Sequence, residues 1–275
     1  MGKQYEELRK LQLIEFDILK KFKEICDKHR LTYYLIGGTL LGAVRHKGFI
    51  PWDDDVDVSM PRPDYIRFID IAQSQLSDPY GVVTKEIDES FKHPIARVIN
   101  KRISVETAYT KNPQVNYVSI DIFPMDAMPE NKVHYFFRKY HILLRRWLFI
   151  ISEFNDLANQ TKDRYGLEKM IFTLVAKLKL ERIFNSMKQF RTYHKVLSKY
   201  SYEKGRYVGQ LLGGYKFKYM MEREVYEPGK ELEFEGELFR VPENYDALLR
   251  NLYGDYMTLP PEDQRDKHKS TVLYD

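Results

Sequence analysis

Residues 36–60, IGGTLLGAVRHKGFIPWDDDVDVSM, constrain the fold more than any other stretch of the chain. A short apolar run, LTYYLI over 31–36, stops at Gly37-Gly38, and Thr39 opens a brief helix through Val44. The loop 45–53 then carries Arg45, His46, Lys47, Gly48, Pro51 and Trp52. From Asp54 to Met60 acidic and apolar residues alternate, which is the period of a strand with carboxylates on one face and a core on the other. Strand, glycine turn, helix, basic loop and acid-bearing strand follow one another in this short span.

The residue types in this block point to phosphate and metal chemistry. Asp55 and Asp57 are two apart on the strand, so they share a face, and two carboxylates that close repel unless a cation lies between them. Mg²⁺ or Mn²⁺ suits such a pair, because hard ions take oxygen ligands and keep positions open for phosphate. Asp53 and Asp54 extend the run in the loop, where they either orient their neighbours or stand behind the metal ligands. Asp121 lies between two isoleucines in SIDIF, where a lone acid needs a partner or a metal, and it makes a third carboxylate. Gly37, Gly38 and Thr39 offer backbone N–H groups at a helix N-terminus to a phosphate, and Arg45 and Lys47 add positive charge. His46 is assigned to loop structure or phosphate contact. Trp52 either stacks on a base or packs under the loop; packing is preferred.

The rest of the chain reads in order. Residues 4–29 form an amphipathic helix on Leu8, Leu11, Ile14, Ile18, Phe22 and Ile25, with Cys26 on its apolar stripe. A helix begins at Asp64 after Pro61 and Pro63. Two or three short strands occupy 81–110, where Arg97 and Lys101 are further phosphate candidates. A strand runs from Tyr117 to Phe123, and Pro124 and Pro129 close the N-terminal region. Beyond 205, RYVGQLLGGY and KELEFEGELFRVP read as strands with a hairpin turn at Glu235-Gly236. A last helix ends at Tyr253 with Gly254 as its stop, and a polar tail follows as an ordered loop with a looser end. Three regions result: a catalytic core over 1–130, a basic helical part over 131–204, and a C-terminal part over 205–275 that completes the site.

Composition enters through its distribution. The 275 residues carry a formal net charge of +4, but residues 131–200 hold 15 Lys+Arg against 5 Asp+Glu. That local +10 leaves −6 for the remainder. Trp147, Phe149 and Phe154 in the basic part read as a helix face in a core. No nucleic-acid module is recognisable there; cations flanking aromatic helices fit peripheral contact with an anionic membrane surface better. One cysteine excludes a disulfide framework or a cysteine zinc site and fits a reducing, cytoplasmic setting. The N-terminus shows no signal-peptide core, and no run reaches 18 apolar residues.

The motif GGTLLGAVRHKGFIPWDDDVDV closely resembles the signature of the LicD phosphotransferases, to which the fukutin-related proteins are also similar. IDIFPMD over 120–126 and YGDYM over 253–257 with Pro260-Pro261 agree with it. The resemblance implies an α+β, nucleotidyltransferase-like mixed sheet flanked by helices, with a helical insertion and a C-terminal hairpin plus helix. It further implies transfer of phosphocholine, or a related polyol phosphate, from a CDP-linked alcohol donor to a glycan or lipid-linked glycan acceptor, with release of CMP. Asp55, Asp57 and Asp121 would then be the catalytic and metal residues, with Asp121 completing the metal set or accepting the acceptor's proton. Gly37, Gly38, Thr39, Arg45, Lys47 and Arg97 would hold donor phosphates. Tyr253, Asp255 and Arg265 are candidates for base or acceptor contact, and His268 and Lys269 for closing over the donor. A bacterial enzyme at the inner face of the plasma membrane is the setting these readings imply. Nucleotidyl transfer that makes an activated donor stays open as a second reaction on the same fold.

Overall fold

The computed structural model describes residues 2–107, 114–153, 177, 183–262, 265 and 270–274; Phe154, His268 and Lys269 lie outside them. Helix α1 (Gly2–His29) buries Leu11, Ile18, Phe22 and Cys26. Phe22 packs tilted on Phe68 at 4.8 Å and edge-on to Tyr33 at 5.2 Å, which ties α1 to α3 (Arg62–Gln75). Burial raises the Cys26 thiol pKa well above its ordinary value, so this cysteine acts as an apolar core residue.

Among the described residues eight strands form one mixed sheet around β5 (Gln114–Met128). On one side β2 (Asp57–Pro61) pairs with it in parallel, Asp57 opposite Asp121, and β1 (Tyr34–Leu35) pairs with β2. On the other side β4 (Ala96–Thr107) runs antiparallel, Arg97 opposite Asp121. Beyond β4 lie β3 (Tyr80–Val83) and β10 (Ser270–Tyr274), while β6 (Tyr207–Gln210) joins the end of β5 and carries β7 (Met221–Glu222). A separate hairpin, β8 (Lys230–Phe234) and β9 (Glu237–Val241), turns at Glu235-Gly236 with both residues at positive φ, as the sequence predicts. The architecture is the mixed α+β fold read from the sequence.

Three elements differ from expectation. The polar tail forms β10, whose pairing along Ile103–Thr107 no local pattern announces. Strand β5 runs through Pro124 to Met128 instead of closing at the proline. Asp121 N–H bonds Val56 O at 2.9 Å on the β2 side, so alternation turns the Pro124 nitrogen the other way. There it meets the gap between the last β4 pairing, at Ile122, and the first β6 pairing, at Met125, where no donor is needed. Finally, β2 begins at Asp57, and 53–56 form an extended lead-in.

The basic region contributes α4 (Lys132–Ser152) and α5 (Ser186–Leu197), each capped by an asparagine, Asn131 and Asn185. Phe149 of α4 packs on Phe190 and Tyr193 of α5 at 6.2 and 6.3 Å. Two buried ion pairs lie where these helices meet the rest of the chain. Arg62 grips Asp126 through two bonds of 2.8 and 2.5 Å and lies 3.2 Å from His194 Nδ1 of α5. Lys85 meets Glu153, just past α4, at 2.5 Å and donates to the Glu89 and Phe91 carbonyls. Burial, with Arg62 beside it, lowers the His194 pKa to about 3, so the ring is neutral. Among the described residues no helix is long and apolar enough to cross a membrane.

Candidate active site

The end of the sheet where β2 begins collects the acids. Asp57, Asp121 and Arg97 lie in register on three adjacent strands, β2, β5 and β4. Arg97 Nε donates to Asp121 Oδ1 at 2.6 Å. Asp55, in the lead-in, is exposed, while Asp57 is half-buried. The Asp57 carboxyl is pushed well above the ordinary range, first by burial and then by the charges of Asp55, Asp121 and Asp53, with Arg97 pulling the other way. The row therefore holds more negative charge than its neighbours balance.

Helix α2 (Gly37–His46) begins against these acids. Gly37 has φ +59°, and a Cβ there would stand 3.0 Å from Asp57 Oδ2 and 3.4 Å from Tyr219 Oη. A Cβ on Gly38 would collide with the Asp53 carboxylate. The glycine pair thus lets two carboxylates approach the positive end of α2. Thr39 is buried, and its hydroxyl accepts the Asp57 N–H at 2.8 Å. Its oxygen is spent on locating Asp57.

The loop 47–53 is braced from two sides. Gln12 of α1 donates to the Ile50 and Asp53 carbonyls at 3.2 and 2.9 Å. Glu235, in the hairpin turn, accepts from Phe49 N at 3.1 Å and pairs with Arg9 of α1. The Arg9 guanidinium holds the Glu235 carboxyl below its usual range. Lys47 is mostly exposed and stands 3.5 Å from Glu233. Trp52 is half-buried against the core, with the Arg45 and Arg265 guanidinium groups 6.0 and 5.4 Å from its ring. Arg45 also donates to the Tyr256 carbonyl at 3.0 Å, and Arg265 to the Pro260 carbonyl at 2.7 Å. These bonds draw the C-terminal segment over the loop. Asp255 is exposed and accepts from Thr258 Oγ1.

Tyr253, at the end of α6 (Tyr245–Tyr253), packs edge-on to Tyr215 at 5.3 Å. Burial raises its phenol pKa, and Tyr219, Tyr215 and Asp57 add to the rise. Tyr219 is buried, and burial with the Asp57 charge pushes its pKa well up. Both phenols stay neutral donors beside the acids. Tyr219 and Glu15 are the site residues that sequence reading missed. Glu15 of α1 is buried, its Oε2 has no hydrogen-bond partner, and burial with the charges of Asp55, Asp54, Asp53 and Asp121 drives its pKa well up. One signal was present: Glu15 falls at Leu11 plus four and Ile18 minus three, a charge on the apolar stripe. Tyr219 lies in a 3₁₀ turn, Lys216–Tyr219, brought in by non-local packing, with no local mark.

Residues 30–154 match the family described as LicD/FKTN/FKRP, nucleotidyltransferase domain. Over 273 residues, 97% of each protein, the chain is 34% identical to the lipopolysaccharide cholinephosphotransferase LicD of Haemophilus influenzae. The chain belongs to the LicD family. An uncharacterized protein of Rickettsia typhi is 29% identical over 134 residues, 48% of this chain and 40% of that protein. Another from Rickettsia prowazekii is 26% identical over 147 residues, 54% of this chain and 51% of that protein. The LicD match spans the acid row, the glycine pair and the loop between them, and it supports the phosphotransferase class expected from the sequence.

Proposed function

We propose that this LicD-family chain transfers phosphocholine from a CDP-linked donor to a hydroxyl of a lipopolysaccharide-type glycan or its lipid-linked precursor, releasing CMP. The observation that carries the reading is the row Asp57–Asp121–Arg97 set against the N-terminus of α2. The full-length relative whose name states cholinephosphotransferase activity on lipopolysaccharide adds the substrate class.

The donor set suits a hard divalent ion. Among the described residues no three His, Cys, Asp or Glu side chains are arranged to hold an ion by themselves. Mg²⁺ commonly binds through one or two carboxylates and completes its shell with substrate phosphates and water. Burial, and after it the charges of the neighbouring carboxylates, push the Asp57 and Glu15 carboxyls well above the ordinary range, and a cation would relieve the second of these causes. Asp55 and Asp57 would hold Mg²⁺, with Mn²⁺ meeting the same demand, and Asp121 stands beside them, oriented by Arg97. When bound, the ion would neutralise charge growing on the leaving CMP.

The chain's own groups supply the rest. N–H groups at the start of α2 face the donor phosphates, and Arg97 adds a fixed charge on the β4 side. The acceptor hydroxyl oxygen bonds to the choline-bearing phosphorus as the bond from that phosphorus to the CMP oxygen breaks. A carboxylate of the row takes the hydroxyl proton. Arg45, Arg265 and Trp52 close the C-terminal segment beside the donor. The proposed setting is the cytosolic side, where CDP-linked donors are made.

Incubation with CDP-choline, CDP-glycerol or CDP-ribitol, an acceptor glycan and Mg²⁺ tests the reading by product analysis. CMP release greatest with CDP-choline is expected. Preference for CDP-glycerol or CDP-ribitol would move the chain to polyol-phosphate transfer, and pyrophosphate release from CTP and phosphocholine would make it a nucleotidyltransferase.

A further inference from the structure

Among the described residues, helix α4 carries an exposed apolar face. Val133, Phe136, Phe137, Tyr140, Leu144 and Trp147 are between 40% and 67% exposed. At 3.6 residues per turn they fall within an arc of about 100° along one side of the helix. Phe136 packs tilted on Tyr140 at 4.7 Å and meets Phe137 edge-on at 5.8 Å, so these three rings form a continuous aromatic centre to the strip. The opposite side of α4 packs inward: Arg138, Ile142 and Phe149 are buried, and Arg138 reaches the Leu197 carbonyl of α5. The helix is therefore fixed to the body of the protein with its aromatic strip pointing out.

Charge says what the strip meets. Between 132 and 152 there are five Lys+Arg and no Asp or Glu; α5 adds three more with no acid. On α4, Lys132 and Lys139 flank one margin of the strip, and Arg145 with the His134 and His141 rings the other, while its centre is apolar. A nucleic acid would need the cations on the face itself. A second copy would oppose two acid-free cationic helices. Apolar aromatics in the middle with cations at both margins match the boundary between acyl chains and anionic headgroups.

We infer that α4 docks flat on an anionic lipid surface through Val133, Phe136, Phe137, Tyr140, Leu144 and Trp147. The inference rests on the helix and its charges alone and stands apart from the proposed reaction. Docking would hold the chain at the membrane through one face of a helix that crosses nothing.

Vesicles of phosphatidylglycerol mixed with phosphatidylcholine, and vesicles of phosphatidylcholine alone, are the probes. The native chain should co-sediment with the anionic vesicles and remain in solution with the neutral ones. Phe136→Glu/Phe137→Glu should weaken partition on the order of a hundredfold, since two buried aromatics become two charges of the wrong sign. Its melting transition should be kept. Brominated acyl chains should quench native emission, and Trp147→Phe, which leaves Trp52, should lose that quenching. Unchanged partition of the double variant, or equal binding to neutral vesicles, would overturn the inference. So would emission that brominated lipid leaves untouched, a result the native chain gives even if the double variant fails to fold. A dimer broken by the same substitutions, with no vesicle binding, would assign the strip to a second copy instead.

Discussion

Strands β2 and β5 bury charge at both ends. At one end Asp57 faces Asp121; five residues further along each chain segment, Arg62 grips Asp126. The second pair is balanced, with both partners at most 10% exposed and the adjacent His194 ring kept neutral by burial. Buried Glu153 is likewise met by opposite charge, from buried Lys85 at 2.5 Å and from Lys92 at 3.4 Å. At the first end the charges of Asp55, Asp121 and Asp53 add to the burial that raises Asp57, with Arg97 pulling the other way, and the same carboxylates act on buried Glu15. Buried Asp126 and Glu153 are each met by opposite charge, because a lone buried charge costs several kcal/mol. Carboxylates gathered against one another in the same sheet are what the proposed cation would relieve.

Substitutions can break this contrast. Asp57→Asn should lower turnover by about a thousandfold or more while leaving the melting temperature equal or higher, since it removes an ion-binding group and a repulsion together. Product release per folded molecule and a thermal melt measure both; unchanged turnover would take Asp57 out of the site. At the balanced end the order reverses. Arg62→Met should cost about 3–5 kcal/mol in urea unfolding by stranding Asp126, with turnover per folded molecule kept.

The pH dependence should separate the two ends further. Glu15 and Asp57 have raised pKa values in the fold, so their neutral forms favour the native state at low pH. That contribution is lost as pH rises from the ordinary carboxylate range, about 4, through their raised values. In chelator, Glu15→Gln should therefore become more stable than the native chain as pH rises, by more than the roughly 0.5 kcal/mol of a neutral surface change. Parallel stability–pH curves for the two proteins would show that Glu15 is not strained. Thr39→Val should cost about 1 kcal/mol through the lost Asp57 N–H bond, and turnover should fall as Asp57 loosens. Lys47→Ala should change stability by less than about 0.5 kcal/mol, since its partner Glu233 is solvated.

How much of this was legible in the sequence follows the same division. Local signals were readable: the alternation that becomes β2, the Glu235-Gly236 turn, and Gly254, which ends α6 at φ +73°. Asp121 was readable as a misplaced acid, and the register beside Asp57 supplies the reason. The balanced pairs were not, because Arg62 and Asp126 lie 64 residues apart and neither breaks a local pattern. Strand β10 pairs with β4 from the far end of the chain, and five residues, STVLY, after a polar stretch are too short to announce a partner. Thr39 was expected at a phosphate, and its placement against Asp57 N–H depends on how α2 meets β2. The exposed strip of α4 was hidden for another reason: helical periodicity identifies an apolar face without saying whether it is covered.

The claim on which the rest depends is that the surplus acids await a cation and a donor together. CMP release from CDP-choline, followed against magnesium concentration in the native chain and in Asp55→Asn, tests it most directly. The account predicts no release in chelator, saturable recovery with magnesium, and a recovery shifted to higher magnesium in the variant. Release that proceeds in chelator, or an identical magnesium response in the two proteins, would contradict it.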